Sequence, residues 1–196
     1  DGAGITVQIP HEFILLQGIA VPERGSYGTG IVFLPNEPSS RQKCMEIIED
    51  SILAEGLVLL NTRIVPVNSD AIGETARESE PEMMQLFIGG GDDLERCLYV
   101  CRRRIETRVI EAFPQEPRKA YVVSLSSRMI TYKGMLSSLQ LRYYYPDLLN
   151  PHFTSGIALV HSRFSTNTFP TWDLAQPFRL LGHNGEINTI RGNRGW

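Results

Sequence analysis

The sequence predicts an α+β fold in which β-sheets are sandwiched by helical layers. Two long segments carry apolar residues at the helical period, and the second half breaks into short apolar or alternating runs separated by turns. No repeat, low-complexity segment or linker-like stretch divides the chain, so residues 1–196 read as one domain.

In chain order, Ile5 to Ile9 alternates weakly before Pro10, and Gly28 to Leu34 is an apolar, β-branched run between glycines and Pro35; both predict strands. Ser39 and Gln42 form a capping-box pattern ahead of the stripe Cys44, Ile47, Ile48 and Ile52, and Gly56 stands at the C-terminal cap position, which predicts the first long helix. Leu57 to Val67 reads as a buried strand with an irregular end at Pro66, and Met83 to Ile88 as a shorter strand closing at Gly89-Gly90-Gly91. The triple glycine lacks a following Gly-Lys-Ser/Thr and runs into Asp92-Asp93, whose carboxylates repel phosphate, so it predicts a turn and helix cap. Leu94, Cys97, Leu98, Cys101, Ile105, Val109 and Ala112 then mark an amphipathic helix, with Arg102 to Arg104 and Arg108 on a solvated face. Beyond Pro114 and Pro117, strands are expected at Tyr121 to Leu125, Met129 to Lys133, Ile157 to His161 and Phe178 to Gly182, giving seven or more in all.

The formal net charge of -3 offers no basic field for a nucleic acid or an anionic membrane, and no apolar run approaches the ~20 residues of a membrane span. The start, Asp-Gly-Ala-Gly, lacks the features of a signal peptide, so the chain reads as soluble. Cys44, Cys97 and Cys101 form an odd set without metal-ligand spacing, which fits a reducing compartment: the cytoplasm, with the plastid stroma as alternative. No metal site is expected, and Cys97 and Cys101 read as small core hydrophobes.

Chemistry concentrates in two polar clusters at strand ends, His161-Ser162-Arg163-Phe164-Ser165-Thr166-Asn167 and Gly182-His183-Asn184-Gly185-Glu186. Arg163 offers a planar fork for a carboxylate with the Thr166 hydroxyl beside it, and Asn184 with the Gly185 amide could face a developing oxyanion. The same residues equally fit a structural ion pair and a tight Asn-Gly turn. His161 and His183 border apolar strands and read as structural. Neither a Gly-x-Ser-x-Gly elbow nor a Cys beside a candidate base is present, so no internal nucleophile is indicated.

Residues 161 to 193, from His-Ser-Arg-Phe-Ser-Thr-Asn through Gly-His-Asn-Gly-Glu to Arg-Gly-Asn, closely resemble the glutamate synthases, as do Asp1 to Ile5, Arg63 to Pro66 and Ser127 to Leu136 in the same order. The resemblance spans essentially the whole chain. It implies a class II glutamine amidotransferase domain of the N-terminal-nucleophile hydrolase type, a four-layer α/β/β/α sandwich that would be incomplete here. It implies Arg163 on the glutamine α-carboxylate, Thr166 lining the pocket, and the Asn184 side chain with the Gly185 amide as oxyanion hole, each donor lowering the barrier by about 3 kcal/mol.

The implied nucleophile is an N-terminal cysteine whose own α-amino group shuttles the proton. Residue 1 is Asp, Cys44 starts a helix, and Cys97 and Cys101 lie inside one, so the chain as written is expected to be inactive by itself, cut at both ends and prone to aggregate. Relatives carry a Cys-Gly start before the point matching Asp1 and a pocket Asp beyond Trp196, and Asn61-Thr62 stands where they tend to show Gly-Trp. FMN and an iron–sulfur cluster are implied for a full-length parent but none in this segment. The implied partners are glutamine, a synthase domain of the same polypeptide, and a reductase subunit or ferredoxin. Two other readings are another class II amidotransferase, against which Phe169 to Trp172 and Glu186 to Asn193 weigh, and a non-catalytic glutamine-binding module.

Overall fold

A computed structural model of the chain describes residues 2–163 and 170–179, with only the backbone described for Arg163. Strand β1 (Gly2–Gln8) leads into a short helix α1 (His11–Leu16), then β2 (Tyr27–Leu34) and the long helix α2 (Pro38–Ala54). Next come β3 (Val58–Ile64), a 3-10 turn (Ser69–Ala71), the short helix α3 (Glu74–Glu78) and β4 (Glu82–Gly89). The long helix α4 (Leu94–Ala112) precedes β5 (Tyr121–Val122), β6 (Met129–Gly134), α5 (Leu141–Tyr144), a second 3-10 turn (Pro146–Leu149) and β7 (Ala158–Arg163).

The strands form two antiparallel sheets, one of order β6-β1-β7 and one of order β3-β4-β2-β5. Strand β2 faces both ways, because successive side chains of a strand point to opposite faces. Ile31 and Phe33 join Ala3, Val7, Ile130 and Tyr132 in the core between the sheets, whereas Val32 and Leu34 join the buried stripes of α2 and α4. A third cluster, Phe13, Ile14, Ile19, Tyr27 and Phe87, seats α1 against the end of the four-stranded sheet. The inter-sheet core is tied by edge-on aromatic pairs, among them Tyr132 with Tyr145 at 5.1 Å, Tyr144 with Tyr145 at 4.7 Å and Phe33 with Trp172 at 6.0 Å. Two antiparallel sheets with helices packed on one of them are thus observed.

Several expectations are corrected. The cap of α2 is Glu37, not the Ser39/Gln42 box: its carboxylate accepts the Ser39 and Ser40 amides at 3.0 and 2.7 Å. Pro38 at the first helical position has no N–H to satisfy, so the helix begins two residues earlier and Gln42 turns outward to Glu46. Hydrogen bonds from Ser40 and then Ser39 pull the Glu37 carboxyl down to about 2. Strand β3 is not buried: it is an edge strand, and Val58 and Ile64 are more than half exposed because among the described residues no further strand or helix covers them. Arg102 leaves the expected solvated face; it is buried, pairs with Glu106 at 2.6 Å and lies over the Tyr99 ring. Arg103, Arg104 and Arg108 reach outward to Glu106, Glu55 and Asp50. The expected strand at 121–125 pairs only over Tyr121–Val122. Val123 then bonds Ile31, and Ser126 forms a separate bridge with Thr29. Of the strand expected at 178–182, only Phe178 and Arg179 are among the described residues. Helices α1, α3 and α5 are too short for a periodic apolar stripe to announce them.

One buried ion pair fastens the edge strand to the core. Arg63 of β3 pairs with Asp147, whose carboxylate also accepts the Tyr132 hydroxyl at 2.9 Å, and the guanidinium lies 5.5 Å from the Phe13 ring. Removing one partner of a buried pair strands the other, a loss of about 3–5 kcal/mol. Asp147→Ala is therefore expected to lower unfolding stability by about that amount in urea titration. A loss below about 1 kcal/mol would show that the pair carries no such weight.

Candidate functional site

Strand β1 lies at the centre of its sheet and has His161 to Arg163 of the first candidate cluster beside its N-terminal end. In register, Arg163 pairs with Gly2, Ser162 with Ala3 and His161 with Gly4. Arg163 is thus the last residue of an ordered strand, where a sheet can hold an anchor for a small polar substrate. Its side chain, Thr166, His183, Asn184 and Gly185 lie outside the described residues.

The segment from Pro170 to Arg179 forms a strap around the same end of the sheet. Trp172 is buried in the inter-sheet core, its indole N–H donating to the Ala76 carbonyl at 3.1 Å. Ala175 lies against Gly2, where an added Cβ would stand 3.0 Å from the alanine methyl. Lys133 of β6 is buried beneath the strap, its ammonium donating to the Asp173 and Ala175 carbonyls at 2.8 and 2.7 Å. The Tyr121 and Phe178 rings each stand 4.7 Å from the same nitrogen. These carbonyls and ring faces favour the charge, but burial foremost, and then the neighbouring Arg179, pull the lysine down to about 7. Arg179 closes the cluster, bonded to the Val122 carbonyl and 3.3 Å from Glu106. Asp173 is held by Arg118 at 2.6 Å.

Lys133, Trp172 and Arg179 are not singled out by sequence reasoning. A lysine at the end of an alternating strand reads as solvent-facing, and only the strap, a tertiary feature, buries it.

Two cavities adjoin the strap, the second of them towards the opposite end of β1. One of about 770 Å³ is walled by Trp172 and Asp173 of the strap together with Phe33, Tyr121 and Met135. The other, of about 580 Å³, lies on the Thr6 and Gln8 face of β1 with Met129, Leu159 and Arg179.

The three cysteines are remote from this arrangement. Cys44 and Cys101 lie in the apolar layer between the helices and the four-stranded sheet, and Cys97 packs at its margin. Burial pushes the Cys44 thiol up to about 11 and, with Glu55 adding to it, the Cys101 thiol up to about 12. Among the described residues no group of three or more His, Cys, Asp or Glu is placed to hold a metal ion.

The family model for class II glutamine amidotransferases matches residues 1–196. The large chain of an NADPH glutamate synthase from Bacillus subtilis is 47% identical over 204 residues, covering 100% of this chain and 13% of that relative. A ferredoxin-dependent glutamate synthase 2 from Synechocystis is 44% identical over 205 residues, again 100% and 13%. An NADH glutamate synthase from Saccharomyces cerevisiae is 43% identical over 216 residues, covering 100% of this chain and 10% of its own length. The chain therefore spans only about an eighth or less of the curated relatives it matches.

Two outcomes follow from the titrating groups. At pH 8 only about one part in a thousand or less of Cys44 and Cys101 is thiolate, so iodoacetamide should leave both unmodified in the folded protein. Rapid labelling of either, read by mass spectrometry, would contradict their placement. For Lys133, between about 7 and its ordinary 10.5 the unfolded chain keeps a proton that the folded one has released. Its contribution to stability therefore rises with pH from about 7 towards 10. Denaturant titrations across this range should show that rise in the wild type and a flatter profile in Lys133→Met; identical profiles would refute the assignment.

Proposed function

This chain belongs to the class II glutamine amidotransferases, and we propose that it is the glutamine-hydrolysing domain of a glutamate synthase, which converts glutamine and 2-oxoglutarate to two glutamates. The observation that carries the reading is the 43–47% identity to glutamate synthases along the full length of the chain. The ordered placement of Arg163 opposite Gly2 at a sheet end supports it.

In the proposed reaction, Arg163 binds the glutamine α-carboxylate through its planar fork, and Thr166 lines the same pocket. A cysteine thiolate attacks the side-chain amide carbon, forming a C–S bond. The resulting oxyanion is held by the Asn184 side-chain amide and the Gly185 backbone N–H. A proton passed through the nucleophile's α-amino group lets the C–N bond break and ammonia leave; water then cleaves the thioester to glutamate and regenerates the thiol. Cys44, Cys97 and Cys101 are not assigned this role, because they lie on the far side of the four-stranded sheet from β7.

The flavin and iron–sulfur cluster of the parent are assigned to other parts of a longer polypeptide, since Cys44 and Cys101 are locked in an apolar layer and suit neither group. The electron partner, a reductase subunit or ferredoxin, is assigned to neither, as relatives named for NADPH and for ferredoxin match to 47% and 44%. Residues 1–196 are read as one domain with a four-layer sandwich, the fourth layer covering the Thr6 and Gln8 face of β1. The 580 Å³ cavity there and the exposed Ile157 and Leu159 favour such a cover. A cytoplasmic location is proposed from the unpaired thiols; among the described residues no helix is long and apolar enough to cross a membrane.

The polypeptide of residues 1–196 alone is expected to release no glutamate from glutamine above background, and clear turnover would overturn the requirement for an N-terminal thiol. In the full-length protein, Arg163→Ala should raise KM for glutamine at little cost to kcat, and Asn184→Ala should lower kcat by about 10²–10³. Wild-type kinetics in both would remove the roles given to them.

A further inference from the structure

A third cavity, of about 60 Å³, lies where the Thr6 and Thr131 face of the three-stranded sheet meets helix α4 and the strap. Among the described residues its walls include Thr6, Ser124, Thr131, Glu95, Arg102 and Arg179. The three hydroxyl residues are buried, so an unmet O–H there has no bulk water to turn to. Thr6 and Thr131 share one hydrogen bond at 2.8 Å: one of their two O–H groups donates to the other, and the second finds no acceptor among the described residues. Ser124 accepts the Thr131 amide at 3.1 Å, and its own O–H likewise meets no acceptor there. The cations are under-compensated as well. Arg102 and Arg179 draw on the same Glu106 oxygen at 2.6 and 3.3 Å, while Arg103 takes the other. The Arg179 Nε is buried without a partner. Glu95 does not redress this, because its two oxygens already accept the Ser126 hydroxyl and the Ser127 amide and hydroxyl at 2.8, 2.6 and 2.6 Å.

We propose that this cavity is a binding site for a small monovalent anion, a halide or an oxyanion of a few atoms. Size sets the class: about 60 Å³ exceeds the ~10–15 Å³ that one water needs and falls far below the ~300 Å³ at which small-molecule pockets begin. An amino acid does not fit. Charge and hydrogen bonding set the sign, since two guanidiniums and two unspent O–H groups stand against one carboxylate whose oxygens are already engaged. A water placed there must find acceptors for its own two hydrogens beside two cations, whereas an anion needs only donors. The bound ion joins α4 through Arg102, the three-stranded sheet through Thr6 and Thr131, and the strap through Arg179. None of these residues is among those assigned to glutamine, so the site stands whether or not the protein hydrolyses it.

The test uses the full-length protein with bromide and chloride as probes. Crystals soaked in bromide should show an anomalous peak inside the cavity, touching the Arg102 or Arg179 guanidinium and a hydroxyl of Thr6, Thr131 or Ser124. Water in its place, or a carboxylate from elsewhere in the polypeptide, overturns the proposal. In solution, amide hydrogen exchange is compared in chloride and in gluconate, an anion too large for the cavity, at one ionic strength so that screening is equal. Chloride should slow exchange in peptides covering Leu94 to Glu106 and Ser124 to Thr131, saturably, and by about threefold at twice its dissociation constant. A bromide peak without this protection means an adventitious ion only, and the proposal fails. The double variant Thr6→Val with Thr131→Val keeps the shape, leaves both guanidiniums in place and removes the spare O–H of that pair, so its exchange should respond to chloride more weakly. A response equal to that of the wild type would show that the ion binds elsewhere. If the variant does not fold, the wild-type peak and protection decide the matter alone.

Discussion

Strand β2 is the constraint on which every layer depends. All eight of its residues are buried, and its alternation sends Ile31 and Phe33 to one core and Val32 and Leu34 to the other. A one-residue slip in its register with β4 would exchange those sets and disrupt both cores at once. Gly30 holds the register on the β5 side, since a Cβ there would stand 1.8 Å from the Ser124 carbonyl oxygen, a backbone atom that cannot move aside without parting the strands. The three-stranded sheet is placed against that strand by apolar contact, by the Thr131 amide donating to the Ser124 hydroxyl at 3.1 Å, and by the Tyr132–Asp147–Arg63 link to β3.

Two cations at the margins of this core, Arg63 and Lys133, serve different ends. Arg63 meets a carboxylate, so the charge is neutralised in place, and the pair joins the edge strand to the segment that carries Asp147. Lys133 meets no carboxylate within bonding distance among the described residues, only carbonyls, a hydroxyl and ring faces. Partial charges compensate an ammonium less completely than a carboxylate does, which is why burial draws its proton affinity towards neutrality. A neutral amine still donates two hydrogen bonds, so the strap stays held on either side of that pH.

The sequence makes the helices and most strands legible because periodicity is a local property. The stripe of α2, the turn at Gly90 and Gly91 with positive φ, and the alternation in β2 all follow from neighbours within a few residues. What it conceals is set by partners far along the chain. Whether Val58 and Ile64 are covered depends on strand order, and Arg102 is buried by a cluster that includes Arg179, 77 residues later. The cap of α2 was concealed for a local reason instead, as Glu37 ahead of Pro38 competes with the stronger pattern at Ser39. Of the site, Arg163 is legible as a residue type at a strand end, while its backbone partner Gly2 belongs to the opposite end of the sequence.

That long-range pairing bears on how the chemistry can be divided. A segment that follows a sheet strand is rigid in that sheet's frame only where it is tied back to it. The strap makes this tie twice, through Trp172 in the inter-sheet core and through the carbonyls above Lys133. Amide cleavage gains from donors that are already in place when charge develops, since no reorganisation is then needed at the moment of reaction.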